Sequence, residues 1–151
     1  MVMRRVNVEA ILDLRREVLR PDHTRDGVRF DGDDHPQTYH FAAFDNERII
    51  ACVTLMPSTF DARRAWQLRG MAVAPSWRGA GVGGQLLRHI TEHLPAPRTV
   101  WCNARLPAVG FYQRHGWAVV SEPFEIAGVG PHRRMVLERQ RDGLHGADDG
   151  A

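Results

Sequence analysis

The chain is predicted to adopt an α/β fold, and three observations carry that expectation. Short runs rich in Val, Ile, Thr and aromatic residues recur along it, bounded by Gly, Pro, Asn or Asp. Between them lie stretches whose apolar residues return at helical spacing. One of those helices opens directly from a glycine-rich loop that itself follows a strand: Arg78-Gly79-Ala80-Gly81-Val82-Gly83-Gly84.

Taken in order, Val2 to Val6 reads as a short first strand. Asn7 is a good N-cap, and Glu9 follows in the first turn, where the helix dipole favours negative charge. Ile11, Leu12, Leu14, Val18 and Leu19 form the apolar stripe of that helix, which Pro21 ends. Residues 21–37 are polar, acidic and turn-rich, and a loop this long in a compact domain is often functional. Tyr39 to Phe44 and Arg48 to Met56 read as a hairpin around Asp45-Asn46-Glu47. Pro57 to Arg64 reads as a polar link, and Ala65 to Val73 as another strand.

The helix after the glycine loop carries Val82, Leu86, Leu87, Ile90 and Leu94, and Pro95 and Pro97 stop it. Thr99 to Ala104 is the next strand. Pro107 suits the first turn of a helix reaching about His115, and Gly116 fits its C′ position. Trp117 to Glu122 and His132 to Glu138 read as the last two strands. The tail from Gln140 has no apolar pattern and is expected to be disordered, which leaves 1–139 as one domain.

Composition narrows the function. Apolar residues make up 43% and charged residues 25%, ordinary values for a globular protein. The net charge of +2 leaves no electrostatic footprint for nucleic acid. All 20 basic residues are arginine, which excludes a lysine-bearing P-loop. Cys52 and Cys102 lie in apolar strand-like runs and read as buried thiols in a reducing compartment. The start, MVMRRVNVEAI, lacks the apolar core of a secretory signal, and no run reaches the roughly 20 apolar residues of a membrane span. A soluble, cytoplasmic protein is therefore expected, with no membrane partner, no nucleic acid and no metal, as a monomer or homodimer.

The glycine loop carries the chemistry. Glycines let a backbone approach a ligand closely and present consecutive N–H groups. The helix start adds unpaired donors and about half a positive charge, and Arg78 adds a guanidinium. Together these suit a pyrophosphate. The loop alone is also compatible with a tight turn, and its spacing misses the GxGxxG dinucleotide pattern.

Its surroundings add weight. The stretch LRGMAVAPSWRGAGVGGQLLRHI resembles the acetyl-CoA-binding motif of the GNAT (Gcn5-related N-acetyltransferase) superfamily, whose loop reads Arg/Gln-x-x-Gly-x-Gly/Ala. Arg78, Gly81 and Gly83 match that loop, and Met71-Ala72-Val73 with Pro75 match its run-up. Downstream, Asn103-Ala104-Arg105, Ala108, Phe111-Tyr112 and Gly116-Trp117 are similar to the second family signature. The likeness is firm over 65–139 and extends over 1–64 in element order only. Phe30-x-Gly32-Asp33, Trp101 to Arg105 and Gly130-Pro131-His132 look like a group of small bacterial members without assigned substrates.

The resemblance implies a GNAT-like fold: a mostly antiparallel sheet of six to seven strands, with helices on both faces and a V-shaped splay between two central parallel strands. It implies an acyltransferase that moves an acetyl group from acetyl-CoA to a primary amine of a small molecule or peptide by direct attack. Met71, Ala72 and Val73 would pair with the pantetheine arm as an added strand. Arg78, Gly79, Ala80, Gly81, Val82, Gly83 and Gly84 would hold the pyrophosphate. Asn103 would contact the pantetheine or a bridging water, and Tyr112 would act as general acid beside the coenzyme sulfur. Many members place a glutamate before the coenzyme loop, but here the strand reads Trp66-Gln67-Leu68-Arg69-Gly70. Either a water relays the proton to a remote group, or the amine arrives neutral, or another residue serves; the base candidates are then Asp33, Asp34, His40, Glu122, Glu125 and His132, with Glu125 and His132 ranked first because they flank the last hairpin. The acidic stretch Asp31 to Asp34 is a candidate for attracting a cationic amine. The missing glutamate also leaves open a non-catalytic acetyl-CoA-binding or sensing domain.

Overall fold

A computed structural model describes residues 1–140. Its strands are β1 (Val2–Val6), β2 (Tyr39–Asp45), β3 (Arg48–Phe60), β4 (Arg63–Val73), β5 (Thr99–Arg105), β6 (Ala118–Val119), β7 (Phe124–Ile126) and β8 (Gly130–Glu138). Its α-helices are α1 (Leu12–Leu19), α2 (Val82–His93) and α3 (Val109–Arg114). The expectation of a disordered tail concerns residues that, Gln140 apart, lie outside the described range. The described residues form two compact units that interleave in sequence: Met1–Pro57 with Leu68–His93, and Ser58–Gln67 with the described residues from Leu94.

In the first unit the strand order is β1-β2-β3-β4. β1 and β2 pair antiparallel from Val2↔Phe44 to Val6↔His40, and β2 and β3 pair antiparallel from Asp45↔Arg48 to Tyr39↔Leu55. Asn7 caps as expected, its side chain accepting from the Ala10 N–H. It starts a 3₁₀ turn that runs into α1. Asn46 takes a positive φ of 56° at the hairpin turn, a conformation asparagine tolerates. α2 lays Val82, Leu86, Leu87 and Ile90 into the core, each burial stabilising by about 1.5–3 kcal/mol. The helix packs on β2, where the Phe41 ring meets His89 edge-on at 5.5 Å.

In the second unit the order is β4-β5-β8-β6, with β7 pairing β8. β4 and β5 are parallel, as expected, and their ladder is short: Trp66↔Val100 and Gln67↔Trp101. β5 and β8 pair antiparallel from Thr99↔Glu138 to Arg105↔His132. The buried side of β5 carries Val100, Cys102 and Ala104, and Tyr112 packs T-shaped on Trp117 at 5.2 Å. Gly116, at φ 92°, closes α3 with bonds from its own N–H to Gln113 O (3.1 Å) and from Trp117 N–H to Tyr112 O (3.1 Å). That is the double bond of a glycine C-cap, at the expected residue.

Three boundaries differ from expectation. The link at Pro57 to Arg64 is strand: β3 continues to Phe60, and the turn is Asp61-Ala62, both at positive φ. β2 pairing ends at Leu55, so the N–H that Pro57 lacks has no ladder bond to break on that side. The strand expected over Trp117 to Glu122 shrinks to Ala118–Val119, because the glycine cap claims Trp117. β7 was not anticipated, and it raises the strand count among the described residues to eight. Its three residues, between Pro123 and a turn with Gly128 at φ 77°, are too few for a period to register.

Candidate active site

The coenzyme-loop candidates all fall in the first unit. Gly79 and Gly81 take φ of 84° and 82°, and a Cβ built on either would meet nothing within 4 Å. Glycine is required there by backbone conformation, and the space above it is open. Gln85 N–H makes the first helical bond, to Gly81 O at 3.1 Å. The amides of Gly81, Val82, Gly83 and Gly84 therefore have no backbone acceptor among the described residues. Four N–H groups at the start of a twelve-residue helix are donors of the kind an anion can take without any side chain. Arg78 precedes them, and Ala80 N–H closes the turn on Trp77 O at 3.4 Å.

β4 is the outer strand of that unit, with β3 on one side. Ala72 is buried, whereas Met71 and Val73 are half-buried. Gly70 interrupts the strand at φ 64°, and a Cβ there would meet Phe30 Cε2 at 2.8 Å. This position therefore demands glycine twice over, for conformation and for the close approach of Phe30.

Beneath Phe30 lies a network that sequence reasoning missed. Arg15 is fully buried, and its Nη1 donates to Asp33 Oδ2 at 2.8 Å and to Val28 O at 3.0 Å. Its Nη2 donates to Thr54 Oγ1 at 2.8 Å and to Asp33 Oδ1 at 3.3 Å. The guanidinium carbon lies 3.9 Å from the Phe30 ring centre. Arg15 Nε is buried without a hydrogen-bond partner. Asp33 Oδ2 also accepts the Phe30 N–H at 2.7 Å. The signal was present: Arg15 sits four residues after Ile11 and four before Leu19, inside the apolar stripe. A charge at that helical position needs a buried counter-ion.

This network corrects the acidic-loop expectation at Asp33. Asp33 is not free to attract an amine, because the Arg15 fork and a backbone N–H occupy it. His40 is likewise engaged: Nε2–H donates to the Asp33 carbonyl at 3.0 Å, which leaves Nδ1 to accept from the Thr54 hydroxyl at 2.8 Å. Burial lowers the His40 pKa, so the ring is held neutral. Asp34 and His40 line a groove of about 480 Å³ with Arg5, Asn7, Glu9 and His35.

The remaining candidates fall in the second unit. Asn103 pairs with Arg134 across β5 and β8, and its Oδ1 accepts from Arg134 Nε at 3.3 Å. Its amide NH₂ is left as the available donor. Tyr112 is buried, and its hydroxyl makes no hydrogen bond among the described residues. Burial first, and Cys102 second, push the phenol well above its ordinary value. Burial also pushes Cys52 and Cys102 up to about 12, so neither thiol is a nucleophile at neutral pH.

The structure separates Glu125 from His132. Phe124 pairs with His132 and Glu125 with Pro131, so the two candidates project from opposite faces of the β7–β8 ribbon. Glu125 is exposed. His132 is buried, lies over the Phe124 ring at 6.1 Å, and donates Nδ1–H to Gly130 O at 2.7 Å. That bond leaves the lone pair on Nε2. No group of three or more potential metal ligands occurs among the described residues. No helix among them is long and apolar enough to cross a membrane.

Comparison with known proteins identifies the family and the fold. Residues 8–117 match the model of the acetyltransferase (GNAT) family. The chain is 30% identical over 132 residues to YitI of Bacillus subtilis, an uncharacterized N-acetyltransferase, covering 84% of this chain and 89% of that one. The crystal structure of Escherichia coli ElaA superposes with a TM-score of 0.72 at 24% identity, over 91% of this chain and 99% of that one. An aminoglycoside 6′-N-acetyltransferase complexed with coenzyme A superposes with a TM-score of 0.72 at 14% identity, over 93% and 98%. Those two likenesses speak to the fold, and the family match over most of the chain speaks to the chemistry. The chain belongs to the GNAT family of acetyltransferases.

Proposed function

We propose that the protein acetylates a primary amine of a small molecule or peptide, using acetyl-CoA and direct attack without a covalent enzyme intermediate. The amine nitrogen bonds to the thioester carbon, the tetrahedral oxyanion collapses, the C–S bond breaks, and the thiolate leaves. The observation that carries this reading is the set of unpaired amides at Gly81 to Gly84 behind two positive-φ glycines. Those amides and Arg78 would hold the pyrophosphate, and Met71, Ala72 and Val73 would take the pantetheine arm along the open edge of β4. Asn103 would add a donor through its NH₂.

Tyr112 supports the leaving sulfur. Its pKa stands above that of an ordinary phenol, so complete proton transfer to a thiolate of pKa about 8.5 is uphill. Its role is a hydrogen bond to the developing charge. The inert cysteines favour direct attack over an acyl-cysteine route. His132 takes precedence over Glu125 as base, since its Nε2 carries a lone pair and the glutamate points to the other face.

The test is CoA-thiol release over an amine panel with wild type, Tyr112→Phe and His132→Gln. Turnover on some amine, cut roughly 10²- to 10⁴-fold by removing an acid or base, supports the assignment. Acetyl-CoA binding with no turnover on any amine would replace it with the sensing reading. That alternative is favoured by one observation: Arg69 and Gln67 occupy a strand where many relatives carry a glutamate.

A further inference from the structure

Arg69 differs from both the buried Arg15 and the exposed Arg5 of the first unit. Arg15 has Asp33, and Arg5 donates to Thr38 O at 3.2 Å while lying over Tyr39. Arg69 has neither an ion pair nor a hydrogen bond among the described residues, although its side chain is partly withdrawn from water. Its close contact is the Phe30 ring, 4.3 Å from the guanidinium carbon, and Arg15 lies over that same ring. Burial lowers the Arg69 pKa, Arg15 lowers it further, and Asp33 and Asp31 oppose them from a distance. A guanidinium presents five N–H donors in a planar fork, and here no protein oxygen takes them.

The platform under Arg69 is rigid. Asp33 holds the Phe30 N–H, Arg15 holds Asp33, and the Cβ-less Gly70 receives the ring edge. Arg15 and Asp33 are buried and the half-buried Phe30 ring lies against Gly70, so Arg69 rests on a hydrogen-bonded platform. A cation held over an aromatic ring without a counter-ion is organised to receive a planar anion. It also lies two residues before Met71, at the start of the strand stretch assigned above to the coenzyme arm.

We propose that Arg69 is a specificity residue that binds a carboxylate on the acceptor, so that the acceptor is an amine also bearing a carboxylate, of the amino-acid class. This rests on the amine-acetylation reading. It reverses the polarity suggested by the acidic loop: Arg15 neutralises Asp33, and the unmatched charge beside Phe30 is positive.

The binding test titrates N-acetyl amino acids and their matched N-acetyl amides into the full chain, with and without CoA, by calorimetry. At least one N-acetyl amino acid should bind, with its amide weaker by roughly 10- to 100-fold, the loss expected when a built polar site meets a ligand lacking its partner. Arg69→Met should remove that difference, and Arg69→Lys, which keeps charge without the fork, should restore part of it. Should Arg69→Met unfold, Arg69→Gln, which keeps much of the stem over Phe30, takes its place. Equal binding of acid and amide by wild type, or no binding of any N-acetyl amino acid, overturns the proposal. Thiol release separates the two readings. Efficient acetylation of amines regardless of a carboxylate overturns the Arg69 assignment alone. Arg69-dependent acid binding with no turnover on any amine overturns the catalytic reading alone. Preference for phosphoethanolamine over every amino acid overturns the carboxylate assignment.

Discussion

Replacing Asp33 with alanine probes the centre of the first unit. Asp33 and Arg15 are 2% and 0% exposed at their side chains, with contacts of 2.8 and 3.3 Å. The substitution strands Arg15, which keeps Thr54 Oγ1 and Val28 O but already has one buried N–H without a partner. It also frees the Phe30 N–H. Breaking a buried pair on one side costs about 3–5 kcal/mol. For a chain of 151 residues that corresponds to a fall in Tm of roughly 6–20 °C, at about 2–4 °C per kcal/mol. Asp13→Ala is the control. It removes a pair with Arg25 whose side chains are 45% and 76% exposed, and it should cost no more than about 1 kcal/mol. Urea unfolding followed by circular dichroism measures both. A loss under about 1 kcal/mol for Asp33→Ala, at unchanged m-value, would refute the buried-pair account. The double variant Arg15→Met with Asp33→Leu should recover much of the loss, since a well-packed apolar replacement of a buried pair is often neutral.

Other consequences follow from the same geometry. Gly81→Val forces a β-branched residue to φ 82° and should destabilise by about 1–2 kcal/mol or more while weakening acetyl-CoA binding in calorimetry; unchanged affinity would remove the loop from the coenzyme site. Acid should loosen the first unit through His40 and His89, whose folded pKa values are lowered below the usual 6.5 chiefly by burial. The unfolded state then binds more protons as pH falls below 6.5, so stability present above that pH declines towards the lower folded values. His40→Gln should flatten part of that slope in unfolding measured from pH 7.5 to 5.

Much of the fold was legible because its signals are local. Asn7 as cap, Asn46 in a hairpin and Gly116 after α3 each answer a backbone requirement that few residues meet. α2 was readable from Val82, Leu86, Leu87 and Ile90 because burial on one face imposes a period. Where the signal fails, the cause is a neighbour distant in sequence. Pro57 resembles a strand breaker until β2 is known to stop at Leu55. β7 is three residues long and takes its identity from β8.

The conformation of the glycine loop was equally legible. A ligand held by main-chain N–H groups demands positive-φ glycines at fixed spacing before a helix, and spacing is a property of sequence. The side-chain chemistry was not. Arg15 meets Asp33 across 18 residues and Thr54 across 39, and nothing along the chain records that Asp33 is already occupied. Glu125 and His132 looked like equal candidates until pairing put them on opposite faces. By itself, then, the sequence determined most of the elements and the conformation of the glycine loop, since both depend on residue type and local spacing. Tertiary structure alone decided which charges are cancelled, which histidine nitrogen keeps its lone pair, and that Arg69 lies over Phe30 without an ion pair. Those outcomes depend on burial and on partners that folding brings together.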